Sequence, residues 1–239
     1  MAVNKTKPVI PENVAIIPDG NRRWSKSNRL SLHKGYNLGI KKFVDISIWL
    51  KHLGVSTVTV WALSTDNIIN RSKGELAILY NLYTKAAYDS NILTMLEKED
   101  AKVVVVGELG MVPQNVRKAL KHIEKETSRN NSFTITLLIA YGGKADILTA
   151  VKRAIKAKAQ SKIKEINEKI LTSMMLTASV PNPDMIIRTS GEQRTSGFLP
   201  WQSSYSELYF SKKYWPDFGI SDLKAAIREY SSRQRRYGK

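Results

Sequence analysis

Cysteine is absent from this chain of 239 residues. Its absence excludes disulfide bonds, thiol catalysis and metal centres with cysteine ligands. The sequence also lacks an apolar run long enough to cross a membrane, and its first residues lack the apolar stretch of a secretory signal. We therefore expect a protein of the cytoplasm.

Common nucleotide and metal motifs are missing as well. The chain contains no GxxxxGK[ST] loop, and no GxGxxG sequence follows a predicted strand. His33, His52 and His122 show neither the HExxH pattern nor another metal-binding spacing. We expect these histidines to be surface or core residues.

The composition is that of an ordinary globular protein, with 42% hydrophobic and 25% charged residues. The length suits one domain with a deep core, and neither a repeat nor a linker rich in proline and glycine divides it. We expect a single domain over residues 1–239 that begins with a flexible segment, 1–12.

The charge is strongly positive. Lysine and arginine number 38 against 21 acidic residues, which gives a net charge of +17. Such a balance favours polyanionic partners: nucleic acid, anionic lipid or phosphorylated small molecules. Part of the excess falls on the predicted helix 144–176, where a solvated basic face is the favoured interpretation.

Short β-branched runs alternate with helical patterns along the chain. The predicted strands are 13–18, 56–63, 102–107, 133–140 and 184–188. The predicted helices are 35–52, 75–98, 114–128, 144–176 and 220–236. Several strands are apolar at consecutive positions, as strands covered on both faces are. The alternation predicts an α/β domain with a central, mostly parallel β-sheet flanked by helices, whose ligands bind at the carboxyl ends of the strands.

A turn with one carboxylate and two guanidinium groups follows the first strand. It consists of Asp19, Gly20, Asn21, Arg22 and Arg23. A phosphate site with a metal ligand fits this turn, because arginines bind phosphate oxygens in pairs and an aspartate holds Mg²⁺ against them. The alternative is that Asp19 caps a helix and the arginines are solvated.

Two other strand ends carry polar side chains. Ser64 and Asn67 lie at the end of the second predicted strand. Arg188, Arg194 and Ser196 surround two glycines after the last clear strand. The second group favours an anion-binding loop over a simple connection.

Glu207 opens a short strand-like run, 207–210. It is either a second carboxylate at the site or a glutamate of an edge strand, and the sequence leaves both interpretations open.

Together these segments resemble the cis-prenyltransferases, the undecaprenyl or polyprenyl diphosphate synthases of isoprenoid chain elongation, in particular their archaeal members. The matching segments are 14–24, 35–39, 61–67, 70–71, 141–147, 183–192, 198–202, 207 and 233–238. No two aspartates are adjacent, so the chain lacks the DDxxD magnesium motif of the all-helical prenyl diphosphate enzymes.

The resemblance implies a Mg²⁺-dependent enzyme with the cis-prenyltransferase fold. Such an enzyme condenses isopentenyl diphosphate repeatedly onto farnesyl or geranylgeranyl diphosphate and yields a Z-polyprenyl diphosphate, the precursor of a lipid glycosyl carrier. It also implies a homodimer without a nucleic-acid partner, in which segment 220–239 forms a helix and a tail that crosses the dimer interface, with peripheral membrane contact where the product leaves.

Position by position, the resemblance implies roles for the matching residues. Asp19 and Asn67 would be catalytic, and Asp19 and Glu207 would hold the metal. The allylic diphosphate would be bound by Gly20, Asn21, Arg22, Arg23, Trp24, Ser64 and Arg71. Isopentenyl diphosphate would be bound by Arg188, Arg194, Ser196, Arg236 and Gly238. The helix that Glu75 opens would line a product tunnel, although its apolar residues are equally consistent with plain core.

The chain departs from the family pattern at several positions. Tyr36 stands where many members have histidine, and Gly197 stands where bacterial members have asparagine. Ile68 and Ile69 replace a single aromatic residue, which we expect to lengthen a substrate loop. These departures put the acceptor and the product length in doubt.

Three other functions compete with chain elongation. A divergent member would condense a prenyl donor irregularly or use another acceptor than isopentenyl diphosphate. A non-catalytic subunit of a two-component enzyme is disfavoured because Asp19, Asn67, Arg188 and Arg194 are retained. A nucleic-acid binder is favoured by charge alone, and the sequence shows no motif for it.

Overall fold

A computed structural model of the chain describes residues 9–233, and these form one α/β domain. The strands are β1 (Asn13–Ile17), β2 (Thr57–Ser64), β3 (Ala101–Val106), β4 (Phe133–Tyr141), β5 (Met185–Arg188) and β6 (Glu207–Phe210). The helices are α1 (Asn21–Ser27), α2 (Leu32–His52), α3 (Thr65–Asn70), α4 (Lys73–Ala87), α5 (Ser90–Lys98), α6 (Gln114–Glu126), α7 (Gly143–Ala159), α8 (Glu168–Ser173) and α9 (Ile220–Ser232).

All six strands belong to one parallel sheet in the order β3-β4-β2-β1-β5-β6. The predicted α/β class with a mostly parallel sheet is therefore confirmed. β1 lies between β2 and β5, at the point where the order of the strands reverses. In open α/β sheets such a point leaves a crevice at the carboxyl ends of the strands.

The consecutive apolar residues of β1 are explained by packing on both faces of the sheet. Val14 and Ile16 belong to a core beneath α2, α6 and α9, whereas Ala15 and Ile17 belong to a separate cluster on the opposite face. Side chains alternate between the faces of a strand, so a strand buried on both sides is apolar throughout.

Two long predicted helices are each divided in the structure. The predicted helix 75–98 is α4 followed by α5, because the Asp89 carboxylate accepts hydrogen bonds from the backbone of Asn91 and Ile92 and starts a new helix. The predicted helix 144–176 ends at Ala159, and Asn167 caps the separate α8. Aspartate and asparagine are strong N-caps, and hydrophobic periodicity does not reveal the break.

The surface of α7 and the residues that follow it is basic and solvated, as predicted. The exposed cations are Lys152, Arg153, Lys156, Lys158, Lys162 and Lys164. Within residues 9–233, no helix is both long enough and apolar enough to span a bilayer.

Candidate active site

The predicted site residues of three strand ends meet at one edge of the sheet. Asp19 follows β1, Ser64 ends β2 and Arg188 ends β5. These strands are direct neighbours, and Ile17 of β1 is level with Arg188. The topology therefore assembles the site from segments that are far apart in the sequence.

The turn after β1 depends on Gly20. This residue has φ +102°, in the left-handed region, and a Cβ atom there would lie 2.6 Å from Tyr214 Cδ1. Gly20 occupies the N-cap position of α1, so Asp19 does not cap that helix and the alternative role of Asp19 is wrong. The Asp19 backbone oxygen instead accepts hydrogen bonds from Trp215 N at 3.0 Å and Thr189 Oγ1 at 2.7 Å.

The Asp19 carboxylate lies between two arginines. Arg188 Nη2 is 2.9 Å from Oδ2, and Arg23 Nη2 is 3.2 Å from Oδ1. Burial opposes the charged carboxylate, but the hydrogen bond and charge of Arg188, together with Arg23, outweigh burial and lower the pKa of Asp19. The site therefore holds an ionised carboxylate beside two guanidinium groups.

Arg188 is a buried anchor of this cluster, with only 7% of its side chain exposed. Its Nη1 donates to Ser196 Oγ at 2.8 Å and to the backbone oxygen of Arg194. Its buried Nε has no hydrogen-bond partner among the described residues. The loop after β5 is thus folded around this guanidinium group.

A polar cavity of about 510 Å³ opens in front of the turn. Its lining residues are Pro18, Asp19, Gly20, Asn21, Arg22, Arg23, Lys26, Leu32, Tyr36 and Arg71. Lys26 was missed by the sequence analysis, although its place one helical turn after Arg22 indicates that it shares the face. With Arg22, Arg23 and Arg71, this lysine gives the described lining four cations, and Asp19 is the one carboxylate in that lining.

An apolar cavity of about 380 Å³ adjoins the polar one. Its polar end includes Asp19, Ser64, Asn67, Arg188 and Ser196. Its walls come from α2, α4, α5, α6 and the sheet, including Phe43, Leu79, Tyr83, Ala86, Met95, Leu120 and Leu137. Five residues line both cavities: Pro18, Asp19, Asn21, Tyr36 and Arg71. An anionic group and an attached apolar chain can therefore be accommodated together.

The sequence left open whether the apolar residues of α4 line a tunnel or form plain core, and the structure shows both. Leu79 and Tyr83 line the apolar cavity, whereas Leu82 is a buried core residue that does not line it. Tyr83 donates a hydrogen bond from its hydroxyl to the backbone oxygen of Ala62 at 2.7 Å, which fixes α4 against β2.

Tyr36 is paired with Glu75 across α2 and α4. The Tyr36 hydroxyl donates to Glu75 Oε1 at 2.5 Å, and Arg71 Nε lies 3.3 Å from the same oxygen. Glu75 is only 6% exposed and was assigned no chemical role from the sequence. This contact joins residues of two helices that are distant in the sequence, so no local pattern reveals it.

Three of the predicted site residues that the structure describes line neither cavity: Trp24, Arg194 and Glu207. Trp24 donates from Nε1 to Asp217 Oδ1 at 2.7 Å. The Arg194 side chain is 62% exposed and pairs with Glu192 Oε2 at 2.5 Å. Glu192 also pairs with Arg23 at 2.9 Å, so Arg194 is connected to the polar cavity through this carboxylate. Arg194 and Arg23 lower the pKa of Glu192.

Glu207 lies far from Asp19 within one chain. It starts β6, level with Met185 at the start of β5, whereas Asp19 follows the end of β1. Measured along the strand direction, Glu207 and Asp19 are separated by about 16 Å. The Glu207 carboxylate pairs with Arg233 Nη1 at 2.6 Å, so the single chain places it as an edge-strand glutamate and does not bring it to Asp19.

The two isoleucines expected to lengthen a loop lie in a helix instead. Ile68 and Ile69 belong to α3, whose N-cap Ser64 accepts a hydrogen bond from Asn67 N at 2.9 Å. The proposed site residues Arg236 and Gly238, the remainder of the predicted tail and residues 1–8 lie outside the described part of the chain.

The donor set at the polar cavity suits Mg²⁺. In the described residues, no three histidine, aspartate or glutamate side chains gather in a group that would enclose a metal ion. Mg²⁺ does not need such a group, because it retains water and is held by one or two carboxylates together with substrate phosphates. The ionised Asp19 carboxylate, facing a cationic pocket, meets that requirement.

Comparison with known proteins places similar sequences among prenyl-transferring enzymes. A family model described as an undecaprenyl diphosphate synthase matches residues 17–238. The tritrans,polycis-undecaprenyl-diphosphate synthase (geranylgeranyl-diphosphate specific) of Methanocaldococcus jannaschii is 40% identical over 98% of this chain and 84% of its own length. The isoprenyl transferase of Thermotoga maritima is 38% identical over 96% of this chain and 97% of its own length.

A similar solved structure is also that of a prenyl diphosphate synthase. Lavandulyl diphosphate synthase from Lavandula x intermedia, in complex with dimethylallyl diphosphate, superposes with a TM-score of 0.91 at 31% identity. The match covers 96% of this chain and 99% of that chain. With its parallel sheet and its strand-end site, the chain therefore belongs to the undecaprenyl diphosphate synthase family of cis-prenyltransferases.

Proposed function

We propose that this enzyme condenses isopentenyl diphosphate repeatedly onto geranylgeranyl or farnesyl diphosphate and releases a Z-polyprenyl diphosphate that serves as precursor of a lipid glycosyl carrier. The observation that carries the proposal is the junction of a pocket with four cations and an apolar cavity through shared lining residues. The name of the archaeal relative supports geranylgeranyl diphosphate as the primer.

The allylic diphosphate binds in the polar cavity. Arg22, Arg23 and Arg71 contact its oxygens, the backbone at Gly20 and Asn21 allows close approach, and the prenyl chain enters the apolar cavity. Asp19 would hold Mg²⁺ together with the phosphate oxygens, and the bound ion would supply positive charge against the diphosphate. The guanidinium groups stabilise the charge that grows on the leaving diphosphate when the allylic C–O bond breaks.

Isopentenyl diphosphate binds at the loop after β5. Arg188, Arg194 and Ser196 hold its diphosphate, so that its terminal double bond faces the allylic carbon. The new C–C bond forms as the double bond attacks, and loss of a proton leaves a chain longer by one isoprene unit. The Asn67 amide, at the polar end of the apolar cavity, assists proton removal or departure of the diphosphate.

The protein works in the cytoplasm as a homodimer with peripheral membrane contact during product release. In the dimer, Glu207 and the tail residues Arg236 and Gly238 contribute to the site of the partner. Segments 1–12 and 220–239 belong to the same single domain.

The proposal is tested by incubating purified protein with labelled isopentenyl diphosphate, an allylic diphosphate and Mg²⁺, with and without EDTA. We expect lipid diphosphates in steps of one isoprene unit that disappear with EDTA. Failure to extend farnesyl or geranylgeranyl diphosphate would refute chain elongation.

A second candidate is irregular condensation, favoured by the similarity to lavandulyl diphosphate synthase. The same assay distinguishes it when dimethylallyl diphosphate is the only prenyl substrate. A branched product formed from two dimethylallyl units would establish irregular condensation, whereas chain elongation requires isopentenyl diphosphate.

Replacing Ala86 by phenylalanine is expected to shorten the product. Ala86 lines the apolar cavity on α4, about 16 Å along the helix axis from Glu75. A phenyl ring there fills space that the growing chain needs, while the first condensation near the diphosphate continues. Product masses from wild type and Ala86→Phe test this, with exposed Lys85→Ala as the control. An unchanged mass distribution would show that the chain does not pass Ala86.

A further inference from the structure

Glu75 is a buried carboxylate that the proposed reaction does not use. Its side chain is 7% exposed, and three groups from different segments surround it. The Tyr36 hydroxyl lies at 2.5 Å, Arg71 Nε at 3.3 Å and Arg22 Nη1 at 3.7 Å. A buried charge requires such partners, because removing it from water is costly.

The partners of Glu75 face the polar cavity. Arg22, Tyr36 and Arg71 line that cavity, and Tyr36 and Arg71 also line the apolar one. The Arg71 guanidinium lies 5.8 Å from the Tyr36 ring centroid, over the ring. Glu75 therefore stands directly behind the cations at the junction of the two cavities.

The Tyr36 hydroxyl remains a donor to Glu75. Burial raises the pKa of Tyr36, and Glu75 raises it further, against the opposing charges of Arg71 and Arg22. These three groups are the charged residues that act on the phenol. The hydroxyl is therefore protonated at neutral pH and holds the Glu75 carboxylate in one place.

We propose that Glu75, held by the Tyr36 hydroxyl, is a positioning residue that fixes the guanidinium groups of Arg71 and Arg22 for the allylic diphosphate. The inference rests on the proposed function of the polar cavity as the allylic site. Long cationic side chains lose conformational entropy when a ligand orders them. A carboxylate that orients them beforehand reduces that loss, and it acts on binding of the allylic substrate alone.

Tyr36→Phe is the first test, because it removes one hydroxyl and keeps the ring over which Arg71 lies. We expect the KM for geranylgeranyl diphosphate to rise about tenfold. The KM for isopentenyl diphosphate and kcat are expected to change by less than about twofold. Tyr88→Phe, at an exposed tyrosine outside both cavities, is the matched control, and urea unfolding checks that the variants are folded.

A double-mutant cycle distinguishes a positioning role of the Tyr36 hydroxyl from a non-specific structural effect of its removal. In an Arg71→Ala background, Tyr36→Phe is expected to raise the allylic KM by a smaller factor than in wild type, because only its effect through Arg22 remains. Glu75→Gln, which retains the shape of the side chain without its charge, is expected to raise the same KM. Equal effects of Tyr36→Phe with and without Arg71, or equal losses for both substrates, would overturn the proposal.

Binding of an unreactive thiolo analogue of geranylgeranyl diphosphate, measured by calorimetry, gives a readout that needs no turnover. If wild type binds the analogue without elongating the natural substrate, the proposed function fails while weaker binding by Tyr36→Phe still supports positioning. If wild type elongates and Tyr36→Phe binds the analogue with unchanged affinity, the positioning role alone fails. If wild type does not bind the analogue, the allylic site and the positioning role fail together.

Discussion

Asp19→Asn is expected to lower kcat by about a thousandfold while the protein remains folded. Asp19 provides the only carboxylate among the described residues that line the polar cavity. Asparagine keeps the size of the side chain, but its one oxygen can accept from only one of the two arginines, because Arg188 and Arg23 contact different oxygens of Asp19. What is also lost is the negative charge that balances these two cations and that we propose to hold Mg²⁺.

The measurement for Asp19→Asn is the initial rate of label incorporation from isopentenyl diphosphate over a range of Mg²⁺ concentrations. Asp89→Asn is the matched control, since Asp89 caps α5 and lines neither cavity, and asparagine caps equally well. We expect Asp89→Asn to retain the wild-type rate. Wild-type turnover by Asp19→Asn at low Mg²⁺ would show that the metal is not anchored at this carboxylate.

The strand ends are the part of the site that the sequence predicts best. A parallel sheet brings the carboxyl ends of its strands to one edge, so polar residues after β1, β2 and β5 must meet once the topology is correct. Asp19, Ser64 and Arg188 meet for this reason. The local sequence pattern and a general rule of sheet topology are sufficient to predict that these three residues lie together.

Contacts between helices are the part that the sequence does not predict. The Tyr36–Glu75 pair depends on how α2 and α4 pack on the sheet, and hydrophobic periodicity describes only which face of each helix is buried. The same limit explains Trp24, which belongs to a matching segment but hydrogen-bonds Asp217 and lines neither cavity. A motif identifies a segment, whereas packing decides where each side chain of that segment points.

Glu207 shows a different limit. Its segment matches the family, yet in one chain it lies at the amino end of β6 and pairs with Arg233. A role at the metal then requires a second subunit, whose geometry neither the sequence nor a single chain contains. The metal role of Glu207 therefore stays a prediction, tied to the homodimer.

Arg188→Lys is expected to raise the KM for isopentenyl diphosphate by about a hundredfold and to lower kcat as well. Arg188 contacts Asp19, Ser196 and the backbone of Arg194 through two of its nitrogens, and its buried Nε has no partner within residues 9–233. Lysine keeps the charge but concentrates it on one nitrogen, so it cannot hold these groups together. The loop after β5 then loses the shape on which we propose that binding of isopentenyl diphosphate depends.

The comparison with Arg194 decides whether shape or charge matters at this loop. Arg194→Ala removes a full charge from an exposed side chain and is expected to raise the same KM only about tenfold, because the exposed arginine is screened by solvent. Exposed Arg228→Lys on α9 serves as the control for an arginine-to-lysine change away from the site. The KM values of the two variants are measured by steady-state kinetics in which the concentration of isopentenyl diphosphate is varied. A larger loss for Arg194→Ala than for Arg188→Lys would mean that net charge, and not the loop folded around the buried guanidinium, holds the second substrate.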